Sequence, residues 1–455
     1  MLNASKALKR STNRNSKEYH IDFINPEITE NMRRIAYIII LLSINLSGFS
    51  QFVLSGEFRP KTEFRDGYKT LLTNDQNPAF LTAQRSRLIA NYKDKSVATR
   101  LSLQDVRTWG EAASKTDISS INVFEAWAEV FFSNAISLRF GRQELSYDQN
   151  RLLGAANWND VGASHDLLQL RFHKSFDFQA GFAYNNDKSK NFESNYPVNN
   201  YKTLVFGRAE KNLGDYLNGS AILIADGYQK ENDPETIYQR YTYGGNLFFR
   251  NDSVRSKIYA TAYLQNGKTP DGTPISAYFV ALNYDYSFTK SFNGMLAAEY
   301  FSGDDAFSSD TKYNSFNNLY GNGHNYYGYM DYFSQIDKDT KNGGLMDLYA
   351  RGTLKFNKKF SGELTYHYLA LTNNIIDAVS SPGNNLKADR YLGSEIDLSL
   401  KYKPADNLEI TGGYSSMFAT PTMELLKGGD HSKYPSWAWI MLTFKPEFLN
   451  TSKNK

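Results

Sequence analysis

Cysteine is absent from the 455 residues. That excludes disulfides, Cys-based metal sites and thiol catalysis. A chain of this composition must close its fold by other means. A dominant charge is lacking too. The formal net charge is +3, but residues 1–50 carry seven Lys/Arg and four Asp/Glu, which leaves 44 of each in residues 51–455. A neutral balance offers no bulk attraction to nucleic acid or to an anionic surface, and no nucleic-acid partner is expected. Histidine is scarce: beyond residue 50 there are only His165, His173, His324, His367 and His431. His165 and Asp166 are contiguous, and neighbouring strand residues point to opposite faces. No catalytic constellation emerges, so no enzyme is expected. Asp304 and Asp305 read as a solvated loop tip, because no ligand set at EF-hand spacing follows. Neither metal nor cofactor is implied.

Long hydrophobic runs are also missing, with one exception. The stretch "MRRIAYIIILLSINLSGFSQF" spans residues 32–52. Arg33 and Arg34 precede an apolar segment, Ile35 to Leu46, and Gly48-Phe49-Ser50 places small residues before Gln51. This is the order of a secretory signal with its cleavage site. The run falls short of the ~20 apolar residues of a spanning helix. The expected organisation is therefore an upstream segment from a misassigned start (1–31), a signal peptide (32–50) and a single domain from 51 to 455. No Pro/Ser linker or composition shift divides that domain.

What is abundant is aromatic: 32 Tyr and 30 Phe, within an aromatic content of 15%. They fall into period-two alternation rather than helical periodicity. In "FDFQAGFAYN", Phe176, Phe178, Ala180, Phe182 and Tyr184 share one face. In "NVFEAWAEVFF", Phe124, Ala126, Ala128, Val130 and Phe132 oppose Glu125, Trp127 and Glu129. In "GSEIDLSLKYK", Ile396, Leu398, Leu400 and Tyr402 oppose Glu395, Asp397, Ser399 and Lys401. Similar runs fall near 84–93, 97–107, 135–143, 254–265, 345–356, 361–370 and 407–418. Weaker runs bring the total to about 18 strands of roughly ten residues, the length a tilted strand needs to cross a bilayer.

Connections alternate in length. Short turns fall near 94–96, 133–134, 174–175, 251–253, 287–290, 357–360 and 403–406. Long loops fall at 144–166, 186–202, 302–344 and 372–390. That rhythm predicts an all-β, closed antiparallel transmembrane barrel with short periplasmic turns and long extracellular loops. A propeller is disfavoured because no repeat is present. In lipid every backbone amide must be paired, so the sheet must close. Closure replaces the missing cysteine staple.

A barrel of this size encloses an aqueous lumen, so inward residues carry the function. Strand parity puts Arg85, Arg87, Arg100, Arg139 and Arg171 inside, with Glu125 and Glu129 among them. Later strands add Glu299, Asp347, Arg351, Glu363, His367, Glu395, Asp397 and Lys401. One reading is a hydrated wall of cross-strand ion pairs, and the other is a selectivity constriction. For the arginines as a set the constriction is preferred, since guanidinium groups stay charged and bind carboxylates bidentately.

The segment "FGRQELSYDQNRLLGAANWNDVGASHDLLQLRF" (140–172) resembles the alginate-export family of outer-membrane barrels. The matching positions are Gly141, Arg142, Gln143, Arg151, Leu152, Gly154, Trp158 and Asp166. Downstream, "FNNLYGNGHNYYGYMDYF" is similar to a loop motif of that family, through His324, Tyr327, Gly328 and Asp331. "LGSEIDLSLKYKPADNLEITGGYS" resembles its late hairpin. Two positions depart from the pattern: Ala163 stands where an Arg is common, and His165 where an aromatic is. The resemblance implies an 18-strand channel with an arginine-rich pore for an anionic polysaccharide.

The resulting expectation is a passive outer-membrane channel of a diderm bacterium. It is bounded by outer-membrane lipid, monomeric, and open to a carbohydrate or another small polar, possibly anionic solute. The alternative is a surface interaction barrel plugged by its 302–344 loop. A soluble glycan-binding or glycan-cleaving β protein is a third and more distant reading.

Overall fold

The computed structural model describes residues 50–116, 120–230, 233–377 and 386–454. The upstream segment and the signal core lie outside the described residues. The first half of the sheet comprises β1 (Gln51–Asp66), β2 (Ala79–Lys93), β3 (Val97–Thr108), β4 (Asn122–Phe131), β5 (Ile136–Gln143), β6 (His165–His173), β7 (Asp177–Tyr184), β8 (Thr203–Asn212) and β9 (Leu217–Lys230). The second half comprises β10 (Asp233–Asn251), β11 (Ser256–Lys268), β12 (Pro274–Ser287), β13 (Phe292–Phe301), β14 (Met346–Lys355) and β15 (Phe360–Ala370). A two-residue hairpin follows, β16 (Ile376–Asp377) with β17 (Leu386–Lys387). The chain then returns to the wall as β18 (Tyr391–Ala405), β19 (Leu408–Ala419), β20 (Ser436–Phe444) and β21 (Glu447–Asn450).

Consecutive wall strands pair antiparallel from β1 round to β20. Strand β20 then pairs with β1, matching Met441 to Lys61 and Trp437 to Arg65. The result is a closed barrel of 18 strands, with β21 a short extension along β1. No edge of the wall is left unpaired, which is what a bilayer demands of a sheet.

The alternation read from the sequence sets the two faces. Along β12, Tyr278, Val280, Leu282 and Tyr284 are exposed, while Ala277, Phe279, Ala281 and Asn283 are buried. Leu168, Leu170, Phe182, Leu223, Leu264, Leu364 and Leu398 extend the exposed apolar belt around the barrel. Such a belt would be an aggregation hazard in water and is a lipid face in a membrane. Aromatic pairs sit beside the short connections: Phe172 with Phe176, Tyr216 with Phe249, Phe288 with Phe292, and Phe356 with Phe360. They form part of the girdle expected at a membrane interface.

The short connections occupy 94–96, 132–135, 174–176, 213–216, 252–255, 288–291, 356–359 and 406–407. At the opposite end lie the long ones at 144–164, 185–202, 302–345 and 371–390, and three more at 67–78, 109–121 and 420–435 that lack an obvious signature. The 302–345 loop carries a 3-10 turn (Gly323–Asn325) and a one-turn helix, α1 (Ile336–Asp339), and the 420–435 loop carries α2 (Pro421–Lys427).

One facing assignment is corrected. Phe124 was expected on the lipid face, yet it is buried inside, with the Arg87 guanidinium 3.6 Å from its ring centre. The register of β4 slips here: Val123 pairs with Leu103, and Glu125 with Ser102. This bulge turns two successive side chains inward, so strict alternation fails at that point.

Candidate functional site

Two long loops fold into the barrel from the same end and meet. Loop 144–164 leaves β5, yet it touches strands on opposite sides of the lumen. At one side Arg59 donates to the carbonyls of Asn157 and Asn159 and to Asp160. Arg85 is held by Glu57 at 2.7 Å and donates to Asn159 O at 3.3 Å. Arg87 donates to Gln104 and to Val161 O. At the far side Arg151 makes a bidentate pair with Glu299 on β13, at 2.5 and 2.7 Å, and both side chains are buried. The Tyr326 ring covers the Arg151 guanidinium at 3.5 Å.

Loop 302–345 locks onto the first loop by backbone. Tyr320 N donates to Leu152 O and Gly154 N to Tyr320 O, each at 3.0 Å, and Asn322 N donates to Asn150 O at 2.8 Å. A side chain at Gly154 would stand about 3.0 Å from Asn150 and Asn322, which favours glycine there. Trp158 stacks on His324 with ring centres 4.2 Å apart. His324 Nδ1 lies 2.7 Å from Asp331, which also accepts from the Tyr68 hydroxyl. Burial opposes the charge on Asp331, but His324, Tyr68 and Lys69 outweigh it and hold its pKa below the ordinary carboxylate value.

The same loop is seated on the late strands. Met330 N donates to Glu395 at 2.7 Å and Tyr329 N to Asp397 at 3.3 Å. Gly328 has φ 89°, and a Cβ there would stand 2.5 Å from the Glu395 carboxylate, so only glycine fits. His367 bridges Asp347 and Asp397. Asp347, Glu395 and Asp397 therefore face inward, but they are fully buried under the loop rather than lining open space. Arg85 and Arg87 differ from expectation in a similar way, since loop carbonyls occupy their guanidinium groups.

Together the loops build an apolar core inside the wall. Met330, Tyr332, Phe333, Ile336 and Phe316 from loop 302–345 pack with Leu145, Leu152 and Leu153 from loop 144–164. Wall residues Phe206, Ile224, Phe279, Phe301 and Trp437 complete it.

Towards the short-turn end the lumen opens into two cavities. One, of about 630 Å³, is lined by Arg100, Arg139 and Arg171, so the structure brings these three together. Each is paired: Arg100 with Glu125 at 2.5 Å, Arg139 with Glu129 at 2.7 Å, and Arg171 with Glu129 at 3.1 Å. Arg208 on β8, not among the inward residues expected from the sequence, joins them and pairs with Asp148 at 2.8 Å and Glu210 at 2.7 Å. Its signal was present in "TLVFGRAEKN", where Leu204, Phe206, Arg208 and Glu210 alternate. Glu144 also lines this cavity, and burial and the nearby Glu125 raise its pKa. The other cavity, about 520 Å³, is lined by Arg351 with Asn283, Tyr259, Tyr326 and Tyr349. The tip of loop 144–164 divides the two. There Asp148, Gln149 and Asn150 all have φ between 48° and 62°, a costly run for residues other than glycine.

The remaining motif residues serve the wall. Gly141 has φ 113°, and a Cβ would collide with the carbonyl oxygen of Ala126. Arg142 and Asp166 pair at 3.0 Å on exposed ground, and Gln143 is buried against Leu167 O.

A family model for alginate export matches residues 51–424. No curated protein matches the chain. Solved structures with the same fold include the outer-membrane protein OpdK from Pseudomonas aeruginosa, with a TM-score of 0.59 and 11% identity over 88% of this chain and 100% of that one. The outer-membrane protein OprD from the same organism gives 0.57 and 16% over 87% and 94%. OccAB1 from Acinetobacter baumannii gives 0.59 and 13% over 88% and 97%. With a family match across most of a chain that closes into an outer-membrane type of barrel, the protein belongs to the alginate-export family.

Proposed function

We propose that this outer-membrane barrel is a passive, porin-like channel for small polar solutes, with a carbohydrate, neutral or anionic, as the cargo. It works as a monomer bounded by lipid, with its short turns on the periplasmic side and its long loops outside, after a leader ending at Ser50 is removed. The observation that carries the reading is the pair of charged and phenolic cavities beneath an inward-folded loop plug. Every arginine of the larger cavity has a carboxylate partner, so its wall is hydrated and nearly balanced. Polar cargo can exchange hydration for wall contacts there, while only weak charge selection operates. No catalysis is assigned to the barrel, in keeping with a family and fold of outer-membrane channels.

The plug supports a second reading, a surface-binding barrel with a closed lumen, because Met330, Tyr332 and Ile336 have no exposed surface at all. Conductance separates the two. The segment 324–333 begins and ends at one place, since a Cβ on Gly323 would lie 2.6 Å from Ser334 O. It is an Ω-loop that can be excised without stretching the chain. In planar bilayers the wild type should conduct, and excising 324–333 should raise single-channel conductance several-fold. A silent wild type beside a conducting excision variant would overturn the channel reading in favour of the plugged barrel. The exposed stretch 306–312 lies outside the plug, and trimming it should change little.

A further inference from the structure

In loop 420–435, at the long-loop end, an imidazole and two carboxylates converge. Helix α2 ends in Gly428 and Gly429, both with positive φ (67° and 83°), and the chain then doubles back. A Cβ on Gly429 would stand 2.7 Å from Leu71, so the reversal is tight. It brings His431 onto Glu424, seven positions earlier in the chain. His431 Nδ1 lies 2.6 Å from Glu424 Oε2, and the His431 backbone N–H donates to the same oxygen at 3.1 Å. Asp430 completes the group, and one ligand atom from each of the three residues lies within 4.8 Å of the others. No spacing motif marks this set, because only the Gly-Gly reversal assembles it.

The group is anchored, yet it keeps free ligand atoms. Lys427 Nζ pairs with Asp339 at 2.7 Å and Lys341 Nζ donates to Leu425 O at 2.7 Å, which ties α2 to loop 302–345. Asp430 N donates to Leu72 O at 2.8 Å and Lys433 Nζ to Thr73 O at 2.7 Å, which ties the returning chain to loop 67–78. Asp430 Oδ1 accepts from the backbone and hydroxyl of Ser432. Glu424 Oε1, Asp430 Oδ2 and His431 Nε2 have no hydrogen-bond partner among the described residues, and no Lys or Arg there pairs with either carboxylate. The Glu424 and His431 side chains are 36% and 38% exposed, so an ion reaches them from solvent.

An exposed contact between a histidine and a glutamate is commonplace by itself. A second carboxylate at the same spot, with no cation to balance the pair, changes what it can hold. Imidazole with carboxylates suits zinc and its neighbours, whereas Ca²⁺ and Mg²⁺ take oxygen alone. Three protein ligands leave a fourth position for water. Ligand atoms around a tetrahedral zinc stand about 3.4 Å apart, which small side-chain rotations reach from the present spacing. The Nδ1 proton that Glu424 now accepts leaves for solvent as the metal takes its place. We infer that Glu424, Asp430 and His431 form a binding site for a divalent transition-metal ion, Zn²⁺ by its donor set, which staples α2 to the returning chain where loops 67–78, 302–345 and 420–435 meet. The site is independent of what passes through the barrel.

The test is titration calorimetry of the tag-free, folded, detergent-solubilised protein with ZnCl₂, after EDTA treatment and dialysis. One saturable Zn²⁺ per chain is expected. His431→Ala should weaken binding about tenfold or more, since even an outer-sphere partner of a metal is worth that much. Glu424→Gln with Asp430→Asn serves as an independent variant that keeps both shapes and should weaken it as far, with circular dichroism confirming an intact barrel in each case. His173→Ala, which removes the other exposed histidine–carboxylate contact, with Asp177, should leave binding unchanged. X-ray absorption at the zinc edge should show a nitrogen and oxygen shell containing a single imidazole. A shell with two or more imidazoles, or binding that survives His431→Ala, would put the ion elsewhere and overturn the site. The absence of saturable binding up to millimolar Zn²⁺ overturns it as well. Displacement of Zn²⁺ by an equal concentration of Ca²⁺ would overturn the transition-metal assignment.

Discussion

The two ends of the barrel interior are built on different principles. At the long-loop end the inward arginines and acids are consumed in holding loops, and an apolar core fills the space between them. At the short-turn end the same residue types face open cavities and pair mostly with one another, Arg208 alone reaching Asp148 at the loop tip. The contrast teaches that parity along a strand decides only whether a side chain points inward. Whether it touches solvent depends on the loop above it. Arg85 and Arg139 share an inward parity and a residue type, yet one grips loop carbonyls and the other borders a cavity.

The largest expected effect lies in the filled half. Arg151→Leu leaves Glu299 buried and unpaired, and loss of one partner of a buried pair costs ~3–5 kcal/mol. Urea unfolding in micelles should show that loss, and single-channel recordings should show a noisier, more open pore. Pairing Arg151→Leu with Glu299→Met should recover most of the stability. A single variant as stable as wild type would mean that the loops do not depend on this contact.

Next in size is the contrast between the wall and its interior. Leu282→Arg places a cation on the exposed apolar belt of β12, where the cost near the bilayer midplane is ~2–4 kcal/mol. Gln179→Arg, on the inward face near Tyr147 and Gln169, should cost under about 1 kcal/mol. Folding yield into liposomes compares them, and equal yields would break the assignment of faces.

Smaller again is the effect of acid on the loop latch. The pKa of Asp331 is depressed in the folded protein, so its contribution is complete above the unfolded value, near pH 4. That contribution is lost as pH falls through the depressed value. Tryptophan fluorescence, through Trp158 beside His324, should report a loosening confined to pH below about 4. Asp331→Asn should remove the step and hold the loop in its loosened state at neutral pH. A step of the same size in that variant would move the latch elsewhere.

The smallest effect is expected from the paired cluster. Converting Arg100, Arg139 and Arg171 together to Gln leaves Glu125 and Glu129 without their cations, so the reversal potential in a salt gradient should move towards cations, and less at high salt. An unmoved reversal potential would show that these residues lie off the path of the ions.

Much of the wall was legible from the sequence because one face of each strand must suit lipid. Leu168 and Leu170 on β6, or Leu398 and Leu400 on β18, announce their strands without help. Phe124 misled, since a bulge has no compositional mark. The plug was less legible. Trp158 and His324 stack directly although they lie far apart in the chain, and spacing cannot reveal such a pair. The work of Arg59, Arg85 and Arg87 was hidden because backbone carbonyls carry no side-chain signature. Asp347, Glu395 and Asp397 were placed on the correct face, but only the fold of residues 328–330 over them explains why they are dry.

The meeting of Gly323 and Ser334 has a consequence for how this pore can change. Because the ends of the 324–333 segment adjoin, its length is uncoupled from the barrel that surrounds it. Residues can be gained, lost or exchanged there without shifting a strand or its register. Under the channel reading, the passage can thus be altered within this small insert while loop 144–164 and the wall keep their places.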